Sequence, residues 1–338
     1  MLKIERIGEC KTKYVFALQV AILCGAVCLI SLDGEHSFLN AITGFGFGAW
    51  YDQRASNRRN GLLPQTRRAA LYAEWLLDNK HDAVGHLFND SARREPSDIF
   101  WLHIQKTGTS LFNTIYLHFC PEVRRNISWG KSARRLNDNY LTRNYPQNEW
   151  CPRHIRYLNW PRVGYHWPYR ETDSKGRALP IFTTFAMLRD PIQRVKSAYA
   201  FGRMHSRLND TNISLSTYFA EPQIPNCQMK NILGHSCRNN FVNESELNVT
   251  LALTRIASPS FFFGITDRWA ESMCLFHKWY GGSVRQYEHF NNRPTKRQDM
   301  NETKGLDLWD LDTALFAGAV KIFEARLRKA GCGAATVE

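Results

Sequence analysis

The sequence predicts an α/β domain built on a central parallel sheet flanked by helices, preceded by one N-terminal transmembrane helix. Three observations predict it. An apolar run leads into a polar turn and then a helical pattern twice over, at residues 98–119 and 181–199, and parallel sheets are assembled from such units. The 338 residues, 43% of them hydrophobic, suffice to bury a sizeable core. Tyr14 to Leu32 gives 19 residues without a charge, long enough to span a bilayer.

In chain order, the apolar segment comes first. Lys3, Arg6, Lys11 and Lys13 precede it, whereas Asp33 and Glu35 follow. The positive-inside rule therefore puts residues 1–13 in the cytosol and the rest, beyond the anchor at 14–32, in the lumen. A cleavable signal peptide is the alternative, but its apolar core is usually shorter and closed by a small-residue cleavage site. Residues 33–95 read as a stem. Gly44, Gly46 and Gly48 interleave with Phe45 and Phe47 without a flanking strand, so a linker fits better than a nucleotide loop. Arg54, Arg58, Arg59, Arg67 and Arg68 make the tract basic, and Pro64 to Leu77 predicts one helix with Leu71, Trp75 and Leu76 as its docking face. The lumenal domain is expected over 96–338.

Its first unit begins with the strand-like run Asp98-Ile99-Phe100-Trp101-Leu102. Then comes His103-Ile104-Gln105-Lys106-Thr107-Gly108-Thr109-Ser110, and Leu111, Phe112, Ile115, Tyr116 and Phe119 follow at helical spacing. Small residues from Thr107 to Ser110 let backbone N–H groups approach a ligand, the helix start adds partial positive charge, and Lys106 adds a full one. The combination suits a phosphate or sulfate, although Lys-Thr-Gly is also an ordinary way to start a helix. It is not a Walker turn, because the lysine precedes the glycine and no earlier glycine stands in the turn.

The second unit runs from Ile181 to Leu188 into Arg189-Asp190-Pro191, with Ile192, Val195, Ala198 and Tyr199 on a helical face. Arg189 at the strand end and Ser197 in the helix supply a fixed fork and a hydroxyl suited to a second anionic group. A local ion pair with proline at a helix start is the alternative reading.

Together, His103 to Ser110 and Leu188-Arg189-Asp190-Pro191-Ile192-Gln193-Arg194-Val195-Lys196-Ser197-Ala198-Tyr199 resemble the paired signatures of the Golgi carbohydrate sulfotransferases, the first motif being most similar to that of the heparan sulfate 6-O-sulfotransferases. The similarity extends weakly through Cys227-Gln228-Met229-Lys230-Asn231-Ile232-Leu233-Gly234 and Phe261-Phe262-Phe263-Gly264-Ile265-Thr266-Asp267. Thr109 stands where the 6-O enzymes usually carry a second glycine. The resemblance implies a P-loop-like three-layer sulfotransferase fold, a type II Golgi membrane protein, and 3′-phosphoadenosine 5′-phosphosulfate as sulfuryl donor. It also implies that Gln105, Lys106, Thr107, Gly108, Thr109 and Ser110 hold the 5′ phosphosulfate, and Arg189 and Ser197 the 3′ phosphate.

Sulfuryl transfer to an alcohol needs alignment, stabilisation of spread negative charge and a base. His166, in Val163-Gly164-Tyr165-His166-Trp167-Pro168-Tyr169, lies where the resemblance puts the catalytic histidine; a hydrogen-bonded core histidine is the alternative reading. Lys106 would also neutralise charge on the departing phosphate. His103 and His154 are the less favoured bases, with His103 expected in the strand.

A net charge of +13, with Arg124, Arg125, Lys131, Arg134, Arg135, Arg143, Arg153, Arg156, Arg162 and Arg170 between the two motifs, suits an acidic glycan. The resemblance puts Arg156 and Trp160 at or near sugar-contacting positions; a solvated basic surface and core tryptophans are the alternative. Nucleic acid does not suit the lumen, and no nucleic-acid module is visible. The rival class is a non-catalytic, membrane-anchored glycan-binding protein on a degenerate transferase fold.

Two further features suit a lumenal address. Asn89, Asn126, Asn209, Asn212, Asn243, Asn248 and Asn301 stand in Asn-X-Ser/Thr triplets, all after the apolar segment. Cys120, Cys151, Cys227, Cys237, Cys274 and Cys332 are an even set compatible with three disulfides, of which Cys227 with Cys237, closing a short loop, is the favoured pair. No CxxC or His-x-x-x-His cluster suggests a metal. Phe290 to Arg297 is a candidate basic loop over the donor. Leu308, Leu311, Leu315, Ile322, Phe323 and Leu327 predict a terminal amphipathic helix ended by Gly331.

Overall fold

The structure, a computed structural model, describes residues 65–79, 98–127, 138–146, 156–157, 166, 168–170, 183–202, 206, 213–239, 242, 246–289 and 311–332. The apolar segment at 14–32, Trp160, His154 and the Phe290–Arg297 loop lie outside these residues. Among the described residues no helix is long and apolar enough to cross a membrane. The chain divides into two compact units, Met1–Leu62 and Leu63–Glu338, and all described residues belong to the second.

The elements are α1 (Gln65–Asn79), β1 (Asp98–Leu102), α2 (Leu111–Phe119), α3 (Pro121–Asn126), α4 (Asp138–Asn144), β2 (Arg156–Tyr157), β3 (Thr183–Leu188), α5 (Pro191–Ala200), α6 (Leu215–Phe219), α7 (Cys227–Leu233), α8 (Val249–Ala257), β4 (Phe261–Ile265), α9 (Trp269–Tyr280) and α10 (Leu311–Ala330). Short 3-10 turns at Thr266–Arg268 and Gln286–His289 flank α9. The four strands pair in parallel in the order β2-β1-β3-β4. An α/β domain on a parallel sheet is therefore what the chain forms.

Two of the four strands, β1 and β3, are the predicted apolar runs, and β2 and β4 are additions to them. Every residue of β4 is buried, as are Phe100 to Leu102 of β1 and Thr184 to Leu188 of β3, and a parallel strand covered on both faces needs such an unbroken apolar run. Helices start where local chemistry permits. Asp190 caps α5 by accepting from the Gln193 N–H at 3.0 Å, with Pro191 in the first turn, where its missing N–H costs nothing.

Two glycines mark where helices come closest to their neighbours. A Cβ on Gly264 of β4 would stand 2.7 Å from Cβ of Ser272, so α9 lies directly on that strand, with the Ser272 hydroxyl accepting from the Ile265 N–H at 2.8 Å. A Cβ on Gly318 of α10 would stand 2.6 Å from a Leu253 methyl and 3.1 Å from the Ala69 carbonyl oxygen, which brings α10 against both α8 and α1.

The predicted stem helix thus lies inside the second unit. It buries Ala69, Tyr72, Ala73, Trp75 and Leu76, with Leu71 half-buried, and Tyr72 hydroxyl meets Thr254 Oγ1 of α8 at 2.9 Å. Arg326 of α10 is fully buried, donating to the carbonyls of Ala257, Ser258 and Phe261 and stacking on Phe263 and Trp279. Those carbonyls end α8 and open β4, so the arginine satisfies groups that water cannot reach. Disulfides join Cys227 to Cys237, the favoured pair, and Cys274 of α9 to Cys332 just beyond α10; Cys120 is disulfide-bonded as well.

Candidate functional site

The strand order places a topological switch between β1 and β3. From β1 the chain goes to β2 on one side, then returns to β3 on the other. The carboxyl ends of two strands diverging this way leave a crevice, the usual ligand position in open α/β sheets. The turn after β1 carries Lys106 and the turn after β3 carries Arg189, so the two motifs singled out in the sequence stand side by side.

The first turn is held in a conformation that side chains rarely adopt. Lys106 has φ 65° and Gly108 has φ 116°. A lysine in the left-handed region costs about 1 kcal/mol or more and persists only when its surroundings over-determine it. Here three groups do so. Arg189 Nη1 donates to the Lys106 carbonyl at 3.2 Å. The Thr266 hydroxyl donates to the Thr107 carbonyl and lies 3.1 Å from that of Leu188. Trp269 covers Gly108 so closely that a Cβ there would be 3.2 Å from Cζ3 of the indole. Within the turn, Thr107 Oγ1 donates to the Ile104 carbonyl at 2.9 Å, and the N–H groups of Leu111, Phe112 and Asn113 bond back to Gly108, Thr109 and Ser110 as α2 begins.

Gln105 and Thr107 are buried, so their side chains support the turn from inside. Lys106, Gly108, Thr109 and Ser110 are partly exposed, and they form the outward face that a ligand would meet. The Lys106 ammonium lies 3.9 Å from the ring centroid of Phe201, at the far end of α5.

Arg189 is itself fixed from behind. The Gln228 amide accepts from the Arg189 N–H and donates to its carbonyl, both at 2.9 Å. Gln228 stands in the first turn of α7, whose N–H groups at Gln228 and Met229 donate to the buried Asp312 carboxylate at 3.1 and 2.7 Å. The Arg189 Nε lies 3.8 Å from Asp267 Oδ1. Burial disfavours the guanidinium charge, and Asp267 and Asp190 oppose that effect. Ser197 lies buried on α5, two turns beyond the Arg189 strand end.

His166 reaches the same region from another direction. Its segment is tied to α7 by the Tyr169 N–H donating to the Asn231 carbonyl at 2.9 Å. Its Nδ1 lies 2.8 Å from the His103 carbonyl oxygen. A carbonyl only accepts, so Nδ1 carries the hydrogen and Nε2 is left with its lone pair. Burial lowers the His166 pKa, the bond to His103 opposes this, and Arg238 lowers it further, so the ring favours its neutral form.

His103 stands just past the end of β1, buried, stacked on Trp101 at 4.1 Å, 4.4 Å between ring centroids from His166, and with Nε2 3.3 Å from Thr109 Oγ1. It links the histidine to the turn. Arg156 pairs with Asp98 in the sheet register.

Sequence reasoning gave no role to Thr266, Trp269, Gln228 or Phe201. For the first two a signal existed: Phe261 to Trp269 is a third strand, polar turn and helix. Among the described residues no three His, Cys, Asp or Glu side chains gather as a metal site. In comparison with known proteins, the chain matches no family model, no curated protein and no solved structure.

Proposed function

We propose that this chain is a carbohydrate O-sulfotransferase that moves a sulfuryl group from 3′-phosphoadenosine 5′-phosphosulfate to a hydroxyl of a glycan, an acidic polysaccharide of the glycosaminoglycan type. The reading carries with it a P-loop-like three-layer sulfotransferase fold and a single-pass type II Golgi membrane protein with its catalytic domain in the lumen. The observation that supports it most is the direct contact of the two anion-suited turns, Arg189 Nη1 on the Lys106 carbonyl, at the switch point of a parallel sheet.

The residues suit the donor chemically. Left-handed φ at Lys106 and a positive φ at Gly108, alternating through Thr107, are the kind of backbone from which anion-binding nests are made, and the α2 N-terminus adds its dipole. Gln105 to Ser110 would hold the 5′ phosphosulfate; Arg189 and Ser197 would hold the 3′ phosphate. The donor supplies an activated sulfuryl group on a phosphate leaving group.

His166 has the tautomer a general base requires, with Nε2 free of hydrogen. As it takes the acceptor proton, the new sulfur–oxygen bond forms and the bond to the departing phosphate breaks. Lys106 stabilises the charge that collects there. Arg156 and Trp160 would contact the acceptor sugar.

The test is to incubate the chain with sulfur-labelled donor and a panel of glycosaminoglycans. Labelled polysaccharide is expected with wild type and absent with Lys106→Ala and His166→Ala. Activity surviving both substitutions would overturn the assignment, and donor-independent glycan binding without transfer would leave the non-catalytic glycan-binding alternative.

A further inference from the structure

We infer that Phe201 is an acceptor-side platform, an aromatic face on which a pyranose ring of the glycan stacks beside Lys106. The inference rests on the sulfotransferase reading and deepens it.

Helical spacing from Val195 and Ala198, both buried in a cluster with Leu215, Tyr218 and Ile224, would carry the next inward position to Phe201. The chain leaves α5 at Ala200 instead. Phe201 takes φ −85° and ψ 27°, and Gly202 follows at φ 87° with nothing within 4 Å of where its Cβ would be. The ring therefore turns outward, 57% exposed, and among the described residues Phe201 and Val284 are the large hydrophobics left in that state. Its inward role passes to Tyr199, which packs on the cluster and donates its hydroxyl hydrogen to the Ile213 carbonyl at 2.6 Å.

Position then decides what the ring is for. Its face lies 3.9 Å from the Lys106 ammonium. In the proposed reaction Lys106 stands at the end of the donor where the sulfuryl group leaves, and the nucleoside base is at the opposite end of that molecule. Phe201 also stands one turn beyond Ser197, whose carbonyl accepts from its N–H at 3.2 Å, so the ring lies along the donor cleft, and its nearness to Lys106 sets it toward the sulfuryl end, where the acceptor must arrive. A pyranose presents polarised C–H groups on one face, which suit the negative face of an aromatic ring, and an acidic sugar brings an anionic group that suits the neighbouring ammonium. The ammonium lies over one face of the ring and, in the proposed reaction, serves the donor; the exposed remainder of the ring is what the sugar would meet.

The experiment compares wild type, Phe201→Ala and Phe201→Tyr as full-length chain in detergent. Calorimetry measures the affinity of each for a heparin-derived hexasaccharide, at low salt and at 0.5 M salt (about 4 Å Debye length), and for 3′-phosphoadenosine 5′-phosphate. Phe201→Ala is expected to weaken the hexasaccharide about tenfold, the size of one aromatic contact, and to keep that deficit at high salt. Phe201→Tyr is expected to retain binding, and the nucleotide affinity to be unchanged in all three. An unaltered hexasaccharide affinity in Phe201→Ala, or no hexasaccharide binding by wild type, overturns the platform. So does an equal loss for the nucleotide, because Phe201 would then serve only as a seat for Lys106. If wild type binds no nucleotide while the alanine variant still loses the hexasaccharide, the donor assignment fails and the platform stands.

Discussion

Arg189 reaches back 83 positions along the chain to donate Nη1 to the carbonyl of Lys106 at 3.2 Å. One guanidinium thereby fixes the turn after β1 from the turn after β3, while its Nε faces Asp267. Arg189→Ala removes both contacts and leaves the left-handed Lys106 turn without one of its three supports. The expected result is a stability loss of roughly 1–2 kcal/mol and a loss of the thermal shift produced by 3′-phosphoadenosine 5′-phosphate. Arg189→Lys should not restore the shift, since an ammonium cannot span the carbonyl and a phosphate with one planar fork. Full nucleotide binding by the lysine variant would mean that charge alone is used.

The backbone of Lys106 and its side chain make separable demands. At φ 65° any L residue is strained, and glycine is not. Lys106→Ala and Lys106→Gly both delete the ammonium, so both should lose sulfuryl transfer. The glycine variant should nevertheless be the more stable of the two by about 0.5–1 kcal/mol, as expected for a left-handed site. Chemical denaturation of the pair measures this. Equal stability would mean that the turn has relaxed out of the left-handed region.

What could be read in advance follows a physical division. Phe100 to Leu102, the run ending at Leu188 and the Val195–Ala198 spacing announce themselves because burial imposes a local pattern; Phe261 to Ile265 carries the same pattern without having been predicted as a strand. The turn chemistry at Lys106 and Arg189 is equally local, so both turns could be picked out, and the structure brings them into contact. The contacts that assemble the site join residues far apart: Thr266 with Thr107 across 159 positions, His166 with His103 across 63, Gln228 with Arg189 across 39. No spacing rule reaches that far. Phe201 escaped for the opposite reason, since local periodicity pointed it inward and the chain's departure from α5 turned it out.

Two histidines give the protein a pH dependence with a definite sign. His166 has its pKa lowered by burial, so the neutral ring, the form the proposed base needs, persists below the ordinary imidazole range of about 6.5. The acid limb of kcat/KM should therefore fall below that value, and His166→Gln should abolish activity at every pH. His118 is pushed down from 6.5 to about 4 by burial first, then by the charges of His277, Arg124 and Arg285, with a hydrogen bond to the Tyr280 backbone opposing. The unfolded chain protonates His118 before the folded one does. Its contribution to stability is full above 6.5 and is lost as pH falls through about 4. The melting temperature should drop across that window, and less steeply in His118→Gln. An unchanged slope would assign acid sensitivity to other groups.

The support of Arg189 runs inward through Gln228 to Asp312. Asp312 is fully buried, accepts from the Gln228 and Met229 N–H groups, and has Arg194 Nε at 3.8 Å. It anchors the start of α7, and the first turn of α7 presents the Gln228 amide that clasps both backbone groups of Arg189. Gln228→Leu keeps the packing volume but leaves those two groups unpaired, at roughly 2 kcal/mol. Asp312→Asn turns one acceptor into a donor facing an N–H and leaves Arg194 without its counter-charge. A buried pair broken in this way loses about 3–5 kcal/mol. The two variants should therefore rank in opposite orders. Asp312→Asn should lose more stability, whereas Gln228→Leu, one link closer to Arg189, should lose more affinity for 3′-phosphoadenosine 5′-phosphate relative to its melting-temperature change. Should Gln228→Leu lower the melting temperature and leave nucleotide affinity intact, the clasp serves the fold alone and Arg189 holds its place without it.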